Sequence, residues 1–276
     1  MPWKFGTASD IGGRSEQQDR LAVFHSRNGR RHLAVVADGM GGLQNGAQAA
    51  QILLDVASHH FAVYKRGDPY DLLDGICQTA HAAINELQTD DGSAPGTTAV
   101  LLFIDKQTAY WAHVGDSRLY HFRSGSLLNY TNDHSLLRLM LDRGVVEAGS
   151  AAAAEMQNRL YMHLGGETPP EPDFNASEVV DGDLFILCSD GFWQALRPSE
   201  IIASLIESPP DQDATQHLVD LARRRSSEGC DNISLVVSQW RRDQATGGWQ
   251  RIIKMMRRFF SRHENRTSLR QPETEQ

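Results

Sequence analysis

Apolar residues follow two rhythms in this chain, and the rhythm changes from segment to segment. Residues 32–38 run through Leu33, Ala34, Val35, Val36 and Ala37 into Asp38 and a set of glycines. A short continuous apolar run of this kind predicts a strand buried on both faces. Over about 47–64 the apolar positions spread to helical spacing, at Ala49, Ile52, Leu53, Val56 and Phe61. The same spacing holds over about 69–88, at Leu72, Leu73, Ile76, Ala80, Ala83, Ile84 and Leu87. Residues 97–123 read as successive strands that end in a tight turn at 124–126, and further strands fall at 183–189 and 232–240. Helical patterns at about 198–207 and 213–226 make a second pair. Strands in runs with helices in pairs predict an α+β fold rather than a parallel βαβ array.

Two regions break the pattern. Residues 134–180 hold a short helical stretch, SLLRLMLDRG, an alanine patch at 151–154, and proline and glycine punctuation at 165–172 that predicts a loop. After a break at Thr246-Gly247-Gly248, residues Trp249, Ile252, Ile253, Met256, Phe259 and Phe260 share one helical face, with Arg251, Lys254, Arg257, Arg258 and Arg262 mostly opposite. A basic amphipathic helix docks on its own domain, on an anionic membrane surface or on a partner protein.

Length and charge narrow the classes. At 276 residues, 40% hydrophobic and 22% charged, the chain reads as one large domain, residues 1–241, followed by a linker and tail, residues 242–276. Residues 241–276 carry nine Lys and Arg against four Asp and Glu; in a chain of net charge −8 the rest is therefore at −13. An acidic body argues against a nucleic-acid partner, which needs a basic footprint. Cys77, Cys188 and Cys230 share no metal spacing, and MPWKFGTASD lacks the basic-then-apolar pattern of a leader, so a reducing cytoplasm is expected. Cys188, within FILCSD, reads as a small core residue.

Acids at strand ends change the picture most. Asp19, Asp38, Asp116, Asp190 and Asp231 each sit at or near the end of an apolar run, several beside glycine. If they meet in space, they stay ionised together only with a cation among them. Oxygen ligands without Cys or His suit Mg²⁺ or Mn²⁺. Asp38 is the candidate bridge between two ions, because Gly39 lets the backbone turn and offer its carbonyl. Arg14 offers a planar fork matched to two phosphoryl oxygens.

The segments R-x-x-x-x-D (14–19), DGMGG (38–42), GTT (96–98), VGDSR (114–118), DHS (133–135), SDG (189–191) and DN (231–232) occur in an order that resembles the metal-dependent Ser/Thr protein phosphatases of type 2C, in their bacterial form. The resemblance runs from about Gly6 to Gln239. It implies a central antiparallel β-sandwich flanked by helix pairs, four layers α/β/β/α, with metals at one edge and a flap over about 135–180. It also implies roles. Asp38 bridges two ions, Asp190 and Asp231 complete the first, and the Gly39 carbonyl and Asp19 serve the second; Asp116 with Asp190 resembles a third, weaker site. A metal-bridging hydroxide would then hydrolyse phosphoserine and phosphothreonine in proteins, opposing a Ser/Thr kinase, with Arg14 holding the phosphate. The implied setting is cytoplasmic, with the tail as a potential peripheral contact to the inner membrane.

Departures from the family pattern are Gln17 where Asn is usual and Met40 where animal members carry His. Asn232 reads as a brace for Asp231, His134 and His113 as structural hydrogen-bonding partners, and Thr97 and Thr98 as holding a strand near the metals. The rival reading is a catalytically weak metal-binding pseudophosphatase acting as a regulatory module.

Overall fold

Alternation along the central strands explains their unbroken hydrophobicity. The computed structural model describes residues 3–41, 45–87, 94–156, 159–206 and 212–241. In chain order it forms β1 (Trp3–Asp10), β2 (Arg20–His25), β3 (Arg31–Ala37), β4 (Gly39–Met40), α1 (Asn45–Val63), α2 (Pro69–Asn85), β5 (Gly96–Thr97), β6 (Ala99–Asp105), β7 (Thr108–Val114) and β8 (Arg118–Arg123). There follow β9 (Ser126–Tyr130), α3 (Leu136–Asp142), α4 (Ala151–Glu155), β10 (Asp173–Glu178), β11 (Leu184–Cys188), α5 (Asp190–Trp193), α6 (Pro198–Ile206), α7 (Gln212–Arg225) and β12 (Ile233–Trp240). On β3, Leu33, Val35 and Ala37 pack against α1 and α2, while Ala34 and Val36 face the other sheet. On β6, Leu101 and Phe103 take the helix side, and Val100, Leu102 and Ile104 the sandwich side. A strand covered on both faces has no position for a polar side chain.

Two five-stranded sheets result, ordered β1-β12-β11-β8-β9 and β10-β7-β6-β3-β2, with antiparallel pairing throughout. Three apolar layers hold them. One lies between the sheets, one under α1 and α2, and one under α5, α6 and α7. The architecture is the expected four-layer α/β/β/α sandwich. Cys188 is buried in the third layer, and all three cysteines are free.

Four strands of the two large sheets lie outside the elements read from the sequence: β1, β2, β9 and β10. Each is a sheet edge. Every position of β2 is half-buried or exposed and its apolar run, Leu21 to Phe24, is only four residues long, while β9 is almost wholly exposed. The helix expected over 69–88 begins where Pro69 follows the N-cap Asp68, whose side chain accepts from the Tyr70 N–H. The alanine patch at 151–154 is a short helix capped by Ser150. Among the described residues no helix is long and apolar enough to cross a membrane. The amphipathic helix expected over 249–262 lies outside the described residues.

Phe185 is fully buried between the sheets, its ring 6.1 Å from Trp3, 6.2 Å from Trp111 and 4.2 Å from the stacked His121. Phe185→Ala removes the shared centre of both sheets and is expected to cost about 3–5 kcal/mol. Urea denaturation checks this: the midpoint falls while the slope of the transition stays unchanged.

Candidate metal-dependent active site

Antiparallel pairing puts the acid-bearing strand ends at one edge. Asp19 precedes β2, Asp38 follows β3, Asp116 lies between β7 and β8, Asp190 opens α5 after β11, and Asp231 stands two residues before β12. The register pairs Arg20 with Ala37, Ala99 with Val114, and Cys188 with both Arg118 and Leu235. Acids more than two hundred residues apart therefore converge. Asp38, Asp116, Asp190 and Asp231 line one cleft of about 550 Å³ together with Arg14, Gly39, Met40, Thr98, His163 and Asn232. Asp19 is not on its wall; it is buried beside it, 3% exposed, and accepts from the Ser189 hydroxyl at 2.7 Å.

Crowding and burial set the electrostatics. Burial pushes the Asp38 carboxyl well above the carboxylate range, and the charges of Asp19, Asp190, Asp116 and Asp231 push it further. Burial lifts Asp19 to about 7, against the pull of hydrogen bonds from Ser189 and Ser234. Asp116 also reaches about 7, through burial and then the Asp190 charge. Asp190 rises to about 6, through burial and then Asp231. Its Oδ1 is buried with no hydrogen-bond partner, while Oδ2 accepts from Gln194 at 2.9 Å. An orphaned carboxylate oxygen among acids forced toward protonation is the donor set of a hard divalent cation. The residues present fit Mg²⁺ or Mn²⁺.

The acids are held by their neighbours' backbones. The Asp38 N–H donates to Thr98 Oγ1 at 3.0 Å, and its carbonyl accepts from the Thr98 N–H at 2.9 Å and Thr97 Oγ1 at 3.1 Å. Thr98 Oγ1 in turn meets Ser117 Oγ at 2.7 Å. Thr97 and Thr98 thus fix the main chain of the central acid. Gly39 permits the start of α1 to close on it, because a Cβ there would stand 2.1 Å from the Gly46 carbonyl oxygen. Asn232 stitches two segments together. Its Nδ2 donates to the Ile11 and Glu16 carbonyls at 2.8 and 3.0 Å, its Oδ1 accepts from the Gln18 N–H at 2.8 Å, and its own N–H donates to Asp231 Oδ1 at 2.8 Å. Gln17 Oε1 accepts from the Asp19 N–H at 3.0 Å, so the residue that departs from the family pattern still orients the loop. Arg14 bonds Asp231 Oδ2 at 2.6 Å, and its side chain is 56% exposed at the rim.

His134 stands outside the cleft wall. Its N–H donates to the Gly115 carbonyl at 2.9 Å, and its Nδ1 accepts from the Gly115 N–H at 3.3 Å, which clasps the turn before Asp116. The proton then sits on Nε2, 3.4 Å from Asp173 Oδ2. His113, His134 and Asp173 lie within 4.8 Å of one another, a spacing open to a metal. A metal on His134 Nε2 would need a lone pair there while Nδ1 also keeps one for Gly115, so hydrogen bonding closes this cluster instead. Ser189, Trp193 and His163 were not singled out in the sequence. Ser189 braces Asp19, and Trp193 Nε1 donates to the Asp116 carbonyl at 2.9 Å. Ser189 has a sequence signal, its place just before Asp190 in SDG; a lone histidine in a loop has none.

A β-sandwich with helices on both outer faces and a carboxylate cluster at one edge defines a metal-dependent hydrolase. The chain belongs to the protein phosphatase 2C family, whose model matches residues 8–221. Protein phosphatase PhpP of Streptococcus pneumoniae is 28% identical over 242 residues, covering 86% of this chain and 97% of that protein. Serine/threonine protein phosphatase PstP of Mycobacterium tuberculosis is 30% identical over 209 residues, 75% of this chain and 40% of that protein. Among solved structures, the S. agalactiae serine/threonine phosphatase superposes with a TM-score of 0.78 at 30% identity, covering 86% of this chain and 99% of that one. The catalytic domain of PstP, in complex with two manganese ions, gives 0.72 at 27% identity, with 87% and 99% covered.

Raised carboxyl pKa values make cation binding compete with protons. In the metal-free protein Asp19, Asp116 and Asp190 favour folding fully only below their unfolded value of 3.8, and that contribution is lost as pH climbs toward 6–7. The rise in Tm on adding Mn²⁺ should therefore be small at pH about 5 and grow through about 7. Thermal melts with EDTA or Mn²⁺ across that range check it, and a pH-independent increment would place the ion elsewhere.

Proposed function

We propose that this chain hydrolyses phosphoserine and phosphothreonine in proteins with Mn²⁺ or Mg²⁺ in the acid cleft, opposing a Ser/Thr kinase in the cytoplasm. The observation that carries the reading is the group of carboxylates driven toward protonation around Asp190 Oδ1, with an arginine at the rim. A solved serine/threonine phosphatase that covers 86% of this chain supports it, as does the 30% identical serine/threonine protein phosphatase PstP.

Two bound ions supply charge neutralisation for the phosphoryl oxygens and acidify a water. Asp38, Asp190 and Asp231 would hold the first, and the Gly39 carbonyl with Asp19, which lies behind the cleft wall, would serve the second partly through water. Asp116 with Asp190 would hold a third. Arg14 engages Asp231 through one terminal nitrogen and leaves the rest of its fork open to phosphoryl oxygens. Thr97 and Thr98 fix the Asp38 main chain, and Asn232 fixes the loop that carries Arg14 relative to Asp231. Residues 135–180 supply one wall through Leu160 and His163, which supports reading them as a flap. All the acids of the expected set are kept, which favours an enzyme over the pseudophosphatase reading.

The test is hydrolysis of a phosphothreonine peptide by the purified chain in EDTA, Mg²⁺ or Mn²⁺. Turnover that requires the added ion is expected. Asp38→Asn should lose it by at least about a thousandfold while the chain stays folded by circular dichroism, and Arg14→Ala should lower kcat/KM about 10- to 100-fold, the worth of a charge-assisted hydrogen bond. Metal binding without turnover in the unaltered chain would sink the enzyme reading.

A further inference from the structure

We propose that His163 is the proton donor to the departing serine or threonine oxygen, an inference that rests on the function proposed above. Serine and threonine alkoxides are strong bases, so their departure is slow without a proton delivered in the transition state. Among the described residues lining the cleft, His163 is the one imidazole. Met40, at the end of the Asp38–Gly39–Met40 turn, has no proton to give.

The segment that carries His163 is tied to the central acid. Leu164, the next residue, is fully buried and exchanges both backbone hydrogen bonds with Thr97, at 2.9 and 3.0 Å. Thr97 Oγ1 donates to the Asp38 carbonyl, so two hydrogen-bonded steps link the histidine's segment to the central acid. The Gly165 N–H donates to His81 Nδ1 on α2 at 3.2 Å, which anchors the other side. The imidazole lies on Gly96, where a Cβ would stand 2.6 Å from its Nδ1. Gly96 pairs with Met40 across β4 and β5, which sets the ring one strand from that turn. The ring is half-buried.

Hydrogen bonding also selects the working nitrogen. The Leu164 carbonyl 3.1 Å from Nδ1 can only accept, so Nδ1 carries a proton there. Nε2 has no hydrogen-bond partner among the described residues and is the atom that takes up and releases the second proton. In the step itself, a water oxygen bonds to phosphorus and its proton passes to solvent. The bond from phosphorus to the serine or threonine oxygen breaks, that oxygen takes the Nε2 proton, and the ring recovers a proton from solvent. Atoms and charge balance without another reactant.

The experiment compares leaving groups in the full chain with Mn²⁺. In His163→Gln, kcat/KM for a phosphothreonine peptide should fall about 100-fold or more, while p-nitrophenyl phosphate, whose phenolate leaves unaided, should change by less than about threefold. Across a series of aryl phosphates, the variant's rate should fall more steeply with leaving-group basicity than that of the unaltered chain. A purely structural part for His163 would lower both substrates together. Equal losses, or no loss on the peptide, overturn the proposal. The unaltered chain's turnover of the peptide is read in the same assay, so a failed donor role is distinguishable from a failed phosphatase reading.

Discussion

Repulsion among buried carboxylates is the constraint on which this structure turns. Asp38 feels four other acids in addition to its own burial, and two of its neighbours are held near pKa 7. No rearrangement of the acids relieves this, because each is fixed to the end of a strand whose register is set by two apolar layers. Only protons or cations can, and at neutral pH a hard divalent ion outcompetes the proton. Local instability and metal affinity are one property seen from two sides.

The surroundings are consequently built for rigidity. Asp38 is gripped through its main chain by Thr97 and Thr98. Asn232 spends all three of its amide groups' bonds on the loop at 11–18, and Gly39 admits the start of α1 at a distance no side chain allows. The apolar frame behind them is continuous through three layers, so the strain of the edge is carried by packing elsewhere.

The sequence disclosed the central strands and the paired helices because burial on two faces, or on one helical stripe, leaves a period in the residues. It hid β1, β2, β9 and β10 because an edge strand is only partly covered and keeps a free row of backbone groups, so its side chains record at most a short run such as Leu21 to Phe24. The acids were legible by their position at run ends. Their partners were less so: Ser189 bonds Asp19 across 170 residues and Trp193 bonds a carbonyl 77 residues away, contacts that no local pattern announces. His163 enters the cleft through Leu164, whose pairing with Thr97 depends on the path of the whole 134–172 segment. A loop residue's chemistry becomes visible only after that path is known.

Arg14 and Asp231 tie the two demands of the site together. The guanidinium holds Asp231 Oδ2 at 2.6 Å, and Asp231 is one of the charges that raises Asp38 and Asp190. A side chain that is 56% exposed gains little from such a pair in stability, since solvent screens it. What the pair does is orient: it sets the planar fork at the mouth of the acid cleft, on a loop that Asn232 has already fixed. Arg14, proposed to bind phosphate, and Asp19 of the acid cluster thus share one braced segment, residues 11–19, and a change in either is felt by the other.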